Sequence, residues 1–222
     1  MIAIWVWVWV LHLIIKKIKK VQDNQKYWET VYETKQPNEV SWTQEIPNTS
    51  LEFLRQLFLP KTAKIIDVGG GDSKLVDYLL QEGFENITVL DISEKALDKT
   101  KKRLGKRAEK VKWIVTDITQ YEPTEVYDLW HDRAVFHFLT TQEQIQKYLS
   151  IAENAISKYL VVATFSKTGP KKCSGLEIKQ YSEIDLETQF NRKFEKIRCK
   201  TEDHETPFQT FQNFTFCSFR KK

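Results

Sequence analysis

Cysteine is scarce in this chain. Cys173, Cys199 and Cys217 are spread over 222 residues, with no C-x-x-C and no cysteine/histidine cluster. That excludes a zinc module or a disulfide scaffold, predicts no metal site, and points to a reducing compartment with each thiol packed as a small apolar side chain. A run of about 20 apolar residues, the length a membrane span needs, is also missing. So is a surplus of one charge in the body of the chain. The formal net charge is +4, but residues 1–20 hold Lys16, Lys17, Lys19 and Lys20 and no acid, and without them 30 basic and 30 acidic residues remain over 21–222. A neutral body offers no basic field to a nucleic acid. With 41% apolar and 29% charged residues and no internal repeat, the chain is neither disordered, fibrous nor multi-spanning, and its length suits one globular domain.

The N-terminal 20 residues stand apart from that domain, which is expected to begin at Val21. Residues 1–15 read MIAIWVWVWVLHLII, followed by KKIKK. As a helix, the apolar part would reach about 22 Å, short of the roughly 30 Å of a hydrocarbon core unless lysine snorkelling or bilayer thinning helps. The charge follows the apolar run and no small-residue cleavage site is visible, so this is not a standard secretory signal. Three readings stay open: a membrane-proximal anchor with its lysines on the cytoplasmic side, a dispensable extension, or an element packed on the domain. The expected placement is cytoplasmic, with membrane association through residues 1–20.

From Lys64 onward strand and helix signals alternate. Residues 64–68 (KIIDV), 86–90 (NITVL), 111–115, 126–130 and 159–165 (YLVVATF) read as strands. Helical spacing runs over 73–81, 94–104 (with Ser93 as N-cap) and 142–157. The run at 159–165 is apolar on both faces, as a central parallel strand requires. Two further strands, 194–200 and 208–219, flank a loop with Asp203, His204 and Pro207, and helices are predicted over 23–34 and 49–59. The pattern predicts an α/β, Rossmann-like doubly wound, mostly parallel sheet closed by a C-terminal antiparallel hairpin.

The most specific feature is Ile66-Asp67-Val68-Gly69-Gly70-Gly71-Asp72-Ser73, between a strand and a helix. Asp91 follows 20 residues beyond Gly71, at the end of the second strand. Glycines let the backbone turn tightly and approach a ligand, and a carboxylate at the second strand end can accept from both ribose hydroxyls of an adenosine. A nucleoside-containing cofactor is implied. A Walker loop is excluded because no G-K-[ST] follows, and a dinucleotide fingerprint is broken at Lys74.

At this point the chain resembles the class I S-adenosylmethionine-dependent methyltransferases over roughly residues 24–219. Asp67, Gly69 and Gly71 match their first motif, with Ser73 in place of the frequent third glycine. Residues 115–118 (VTDI) match the segment after the third strand, and 127–132 (YDLWHD) the fourth-strand motif. The resemblance implies a seven-stranded sheet with its last strand antiparallel, and S-adenosyl-L-methionine as cofactor. Gly69, Gly70 and Gly71 would line its methionyl part, with Asp67 orienting the loop or the ammonium group. Asp91 would hold the ribose, with Ile92 against the adenine. Asp117 would accept from the adenine amine and Ile118 would supply a backbone amide. His131 and Asp132 would sit where the fourth strand opens toward the transferred methyl, and Tyr27, Trp28, Tyr32 and Trp42 would cap the cofactor or simply pack together.

The methyl acceptor is left open between a small molecule and a protein side chain. Candidate catalytic residues are His131, Asp132, Arg133 and His204. Arg133 could clamp a carboxylate of cofactor or acceptor, or pair internally with Asp132. His137 reads equally as a core histidine or a base, and 169–175, with Cys173, as a mobile loop over the site. Two rival functions share the fold: a catalytically silent cofactor-binding module and a nicotinamide-dependent oxidoreductase. Oligomeric state is not legible.

Overall fold

A computed structural model describes Val21 and residues 23–222. The N-terminal segment 1–20 lies outside the described residues. Helix α1 covers 23–34 and α2 Asn48–Arg55. The body then runs β1 (Lys64–Val68), α3 (Leu75–Gln81), β2 (Asn86–Asp91), α4 (Glu94–Leu104), β3 (Val111–Val115), β4 (Tyr127–Arg133), α5 (Gln142–Ala155) and β5 (Ile156–Phe165). A two-residue pair, β6 (Lys172–Cys173) and β7 (Leu176–Glu177), precedes α6 (Glu183–Phe190) and the long strands β8 (Phe194–Glu205) and β9 (Phe211–Lys221).

The seven strands of the main sheet run β3-β2-β1-β4-β5-β9-β8. Pairings from β3 to β5 are parallel, and β9 is antiparallel to both β5 and β8. The strand order reverses between β1 and β4, which opens a crevice at their carboxyl ends. β5 is buried on both faces from Leu160 to Phe165, as its apolar sequence requires. One core, around Leu51, Ile65, Leu97, Leu129 and Phe216, packs α2, α3 and α4 on one face. The other, around Trp130, Tyr148, Leu160 and Phe190, packs α5 and α6 on the opposite face.

Local chemistry sets the element ends. Ser93 Oγ accepts from Ala96 N at 3.1 Å, the cap its position predicts, worth about 1 kcal/mol. Glu29 of α1 adds a second cap across space: its carboxylate accepts from Glu94 N at 2.7 Å, Lys95 N at 3.1 Å and Ser93 Oγ at 3.0 Å. A negative charge at a helix N-terminus is stabilising, and here it also pins α1 above the crevice. Thr141 with Gln144 and Ser182 with Asp185 form capping boxes on α5 and α6.

Several boundaries differ from the sequence expectation. α3 begins at Leu75, because 72–73 complete the glycine turn. α5 stops at Ala155, and the chain passes directly into β5. Helix α6 has no counterpart in the sequence reading: it is eight residues long and buries only Leu186 and Phe190, too few to make a periodic signal. His204 lies in a strand instead of a loop, since Asp203, His204 and Glu205 pair with Asn213, Gln212 and Phe211. The stretch 169–175 is tied down, by the β6–β7 pairing and by the Tyr27 hydroxyl donating to Ser174 O.

The cysteine reading also needs correcting. Cys199 and Cys217 are directly opposed on β8 and β9 and are joined by a disulfide. Eighteen residues separate them in sequence, and hairpin register alone brings their Cα atoms to 4.1 Å. Only Cys173 is free, and it is buried.

Candidate active site

Gly69 leaves the end of β1 at φ +68° and donates its amide to Leu90 O at 2.7 Å, which ties the loop to β2. A Cβ here would collide with Val135. Gly71 turns at φ +45°, with the Tyr32 hydroxyl and the Asp91 carboxylate over the place its Cβ would take. Both positions therefore demand glycine, by backbone conformation and by close approach.

The loop, the strand ends and α1 enclose a cavity of about 560 Å³. Asp91, Ile92, Asp117 and Ile118 line one end. Asp91 is 6% exposed and accepts from Ser93 N at 2.8 Å. Burial pushes its carboxyl up to about 7. The amides of Ser93 and Gly71 pull the other way, and a buried carboxylate in this position is suited to the paired hydroxyls of a ribose. Asp117 caps a turn: its Oδ1 accepts from Thr119 N and from Thr119 Oγ1, both at 2.7 Å. It lines the cavity as well. Trp28, Tyr32 and Trp42 pack edge to face and tilted at 5.8–6.4 Å between centroids and form a wall of the same cavity. Tyr27 is turned instead toward Ser174.

At the other end, β1 and β4 place Asp67 beside His131. His131 Nδ1 lies 2.7 Å from Asp67 Oδ1, and His131 Nε2 lies 2.9 Å from Ser50 Oγ. A carboxylate only accepts, so with Asp67 ionised Nδ1 carries the ring proton and Nε2 accepts from the serine hydroxyl. The side chains of His131 and Asp67 are 3% and 4% exposed. Ser50 is a site residue that sequence reasoning misses. It lies 81 residues from His131 in sequence, and no local pattern marks it.

The remaining candidates separate. Asp132 points to the opposite face of β4, where it accepts from Val135 N at 2.8 Å, Phe136 N at 3.3 Å and the Tyr148 hydroxyl at 2.6 Å. Burial raises it to about 6. Arg133 faces the cavity, stacked over Phe214 at 5.1 Å, and makes no pair with Asp132. His204 is held between Gln44 Nε2 at 3.2 Å and Ser41 O at 2.7 Å, outside the cavity lining. Burial holds it down to about 4. His137 is buried among Phe138 and Phe165 and lowered to about 3, again chiefly by burial. Cys173 lines the cavity, its thiol pushed up to about 12 by burial. Among the described residues no group of histidine, cysteine and acidic side chains is arranged to hold a metal, and no helix is long and apolar enough to cross a membrane.

A glycine loop on β1, a carboxylate closing β2 and a seven-stranded sheet in this order define a class I methyltransferase architecture. Residues 66–158 match the model of the methyltransferase-domain family. S-Adenosylmethionine is the cofactor of that family. The chain is 25% identical over 134 residues to the eEF1A lysine and N-terminal methyltransferase of Mus musculus, covering 59% of this chain and 19% of that protein. It is 29% identical over 144 residues to malonyl-[acyl-carrier protein] O-methyltransferase 1 of Ilyobacter polytropus, covering 64% and 51% respectively. The match thus spans a fifth to a half of these relatives' length. The N-methyltransferase NodS from Bradyrhizobium japonicum WM9, solved with S-adenosyl-L-homocysteine, superposes with a TM-score of 0.62 at 16% identity, covering 80% of this chain and 89% of that one. That likeness is one of fold.

Proposed function

We propose that this chain transfers a methyl group from S-adenosylmethionine to an acceptor that enters the cavity from the β4–β9 side. The observation that carries the reading is the buried Asp91 carboxylate, raised to about 7 and facing the glycine loop at one end of the cavity. The cofactor supplies an electrophilic methyl on a cationic sulfonium. The chain's residues supply position. Asp91 and Asp117 hold the two ends of the adenosine, the 69–71 loop admits the methionyl part, and the Trp28, Tyr32 and Trp42 wall keeps water out and offers aromatic faces to a cation. Methyl transfer is an in-line displacement, for which alignment contributes several kcal/mol.

A nucleophile that carries a proton must lose it. The Asp67–His131–Ser50 chain is the arrangement in the cavity suited to receive that proton. Ser50 passes its own proton to His131 Nε2 as it accepts one, and Asp67 holds the ring. The test is transfer of labelled methyl from S-adenosylmethionine to a cell lysate separated into small molecules and protein. Label appearing in a fraction only with active enzyme supports the reading. Tight cofactor binding with no transfer to any fraction makes the chain a silent binding module, and binding of NAD in place of S-adenosylmethionine overturns the assignment.

The boundary after residue 20 belongs to the same proposal. Four lysines beside an apolar run, on an otherwise neutral chain, suit a tether to an anionic membrane face. Equal partition into the soluble fraction of the full chain and a version beginning at Val21 would remove the tether.

A further inference from the structure

Arg133 closes β4 at the cavity, two residues beyond His131 on the same strand face, about 7 Å further along. Its Nη1 donates to Trp42 O at 3.1 Å. Its Nε and Nη2 are sealed from solvent and have no partner. Among the described residues no carboxylate forms an ion pair with it. The acids whose charge reaches it are committed elsewhere: Glu202 to the Thr49 hydroxyl and to Lys200 at 3.5 Å, and Asp67 to His131. The neighbouring bases, His137 and His204, cannot neutralise a cation. A buried guanidinium without a counter-charge is costly to keep, and the Phe214 stacking and the single bond to Trp42 O offset only part of that cost.

The two free nitrogens are informative because of where they sit on the guanidinium. Nε and Nη2 form one edge, and their two N–H groups run parallel at the spacing of carboxylate oxygens. The Phe214 ring beneath the guanidinium holds its plane. In the same cavity lining, next to the Trp42 carbonyl that Arg133 binds, Thr43 Oγ1 and Trp42 Nε1 are also buried polar atoms without partners. Around Arg133 lie Phe214 of β9, Cys173 of the β6–β7 pair, Trp42, Ala163 of β5 and, within reach of its charge, Asp67 of β1.

We propose that the Nε/Nη2 edge of Arg133, with the Thr43 hydroxyl, binds a carboxylate on the methyl acceptor, making the acceptor a small organic anion. This deepens the methyltransferase reading and rests on it. The cofactor's own methionyl carboxylate has the same chemistry, and the test separates the two.

The full chain saturated with S-adenosylhomocysteine is melted with acetate, propionate or benzoate, and with the corresponding neutral amides. At least one acid should raise Tm above its amide, and Arg133→Gln should erase the difference while leaving S-adenosylhomocysteine affinity within about twofold. Arg133→Lys keeps the charge without the edge and should retain only part of the difference, which covers the case of a poorly folded Gln variant. If no acid outperforms its amide, or if R133Q keeps the difference, the proposal fails. If R133Q weakens S-adenosylhomocysteine about tenfold or more but leaves 5′-methylthioadenosine, which lacks the amino-acid part, unchanged, Arg133 belongs to the cofactor and the acceptor site is overturned. If the wild-type chain binds neither nucleoside, the methyltransferase reading itself has failed.

Discussion

The two ends of the cavity are built on different principles. At the end proposed to hold adenosine, the two carboxylates find partners two residues away, Asp91 with Ser93 and Asp117 with Thr119, and the glycine loop is tied to the neighbouring β2 end. At the β4 end the contacts are long-range: Ser50 to His131 across 81 residues, Trp42 to Arg133 across 91, and Gln44 to His204 across 160. The first end draws its carboxylate partners from short local turns at the ends of β2 and β3, although α1 and β2 still close it. The second exists only when α1, α2, β4 and the β8–β9 hairpin have all come together. A cofactor common to a family and an acceptor particular to a protein would leave that contrast.

The comparison breaks most sharply at His131. If the β4 end performs the proton transfer, His131→Asn should lower kcat by about 10²–10⁴ while changing S-adenosylmethionine Kd little. A loss confined to Kd would move His131 to the cofactor end. Next comes the Cys199–Cys217 disulfide that braces the β4-side hairpin. Chain entropy for its loop assigns it about 3 kcal/mol, so the Cys199→Ser, Cys217→Ser double variant should melt lower by thermal denaturation, with unchanged cofactor affinity. An unchanged Tm would make the bond incidental to the fold.

At the adenosine end, Asp91→Ala should weaken S-adenosylmethionine by about tenfold or more in calorimetry, as expected for the loss of charge-assisted hydrogen bonds. Unchanged affinity would end the ribose assignment. The smallest effect is on pH. Asp91 is raised to about 7 in the free protein by burial, whereas hydroxyl donors favour its ionised form. Binding below that pH must therefore release a proton, and affinity should tighten several-fold from about pH 6 to about pH 8 and then level off. Asp91→Asn should flatten that profile. A wild-type affinity that is flat across the range would mean that Asp91 does not change ionisation when the cofactor binds.

Legibility follows the same division. Asp91 and Asp117 act through neighbours two residues away, and the 66–73 loop carries its glycines in succession between a strand and a helix, so these features show in the sequence. Arg133 can be suspected from sequence of holding a carboxylate, but the choice between Asp132 and an external anion depends on which face of β4 each side chain takes. Alternation along a strand sends Asp132 to Tyr148 and Arg133 to the cavity. The Cys199–Cys217 bond is invisible in the sequence because an odd number of widely spaced cysteines carries no pairing signal, whereas one register of a long hairpin does. Thr43 and Ser50 are ordinary residues of a linker and a helix start until the tertiary fold buries them.

The sequence by itself determined the doubly wound sheet and the glycine-loop end of the cavity. Apolar strands, amphipathic helices, three successive glycines and an acid at a strand end each have local physical consequences. Tertiary structure alone decided the β4 end of the cavity: which buried groups find partners and which do not. A guanidinium left without a counter-charge is a property of the packing around it, and no residue type or spacing announces it.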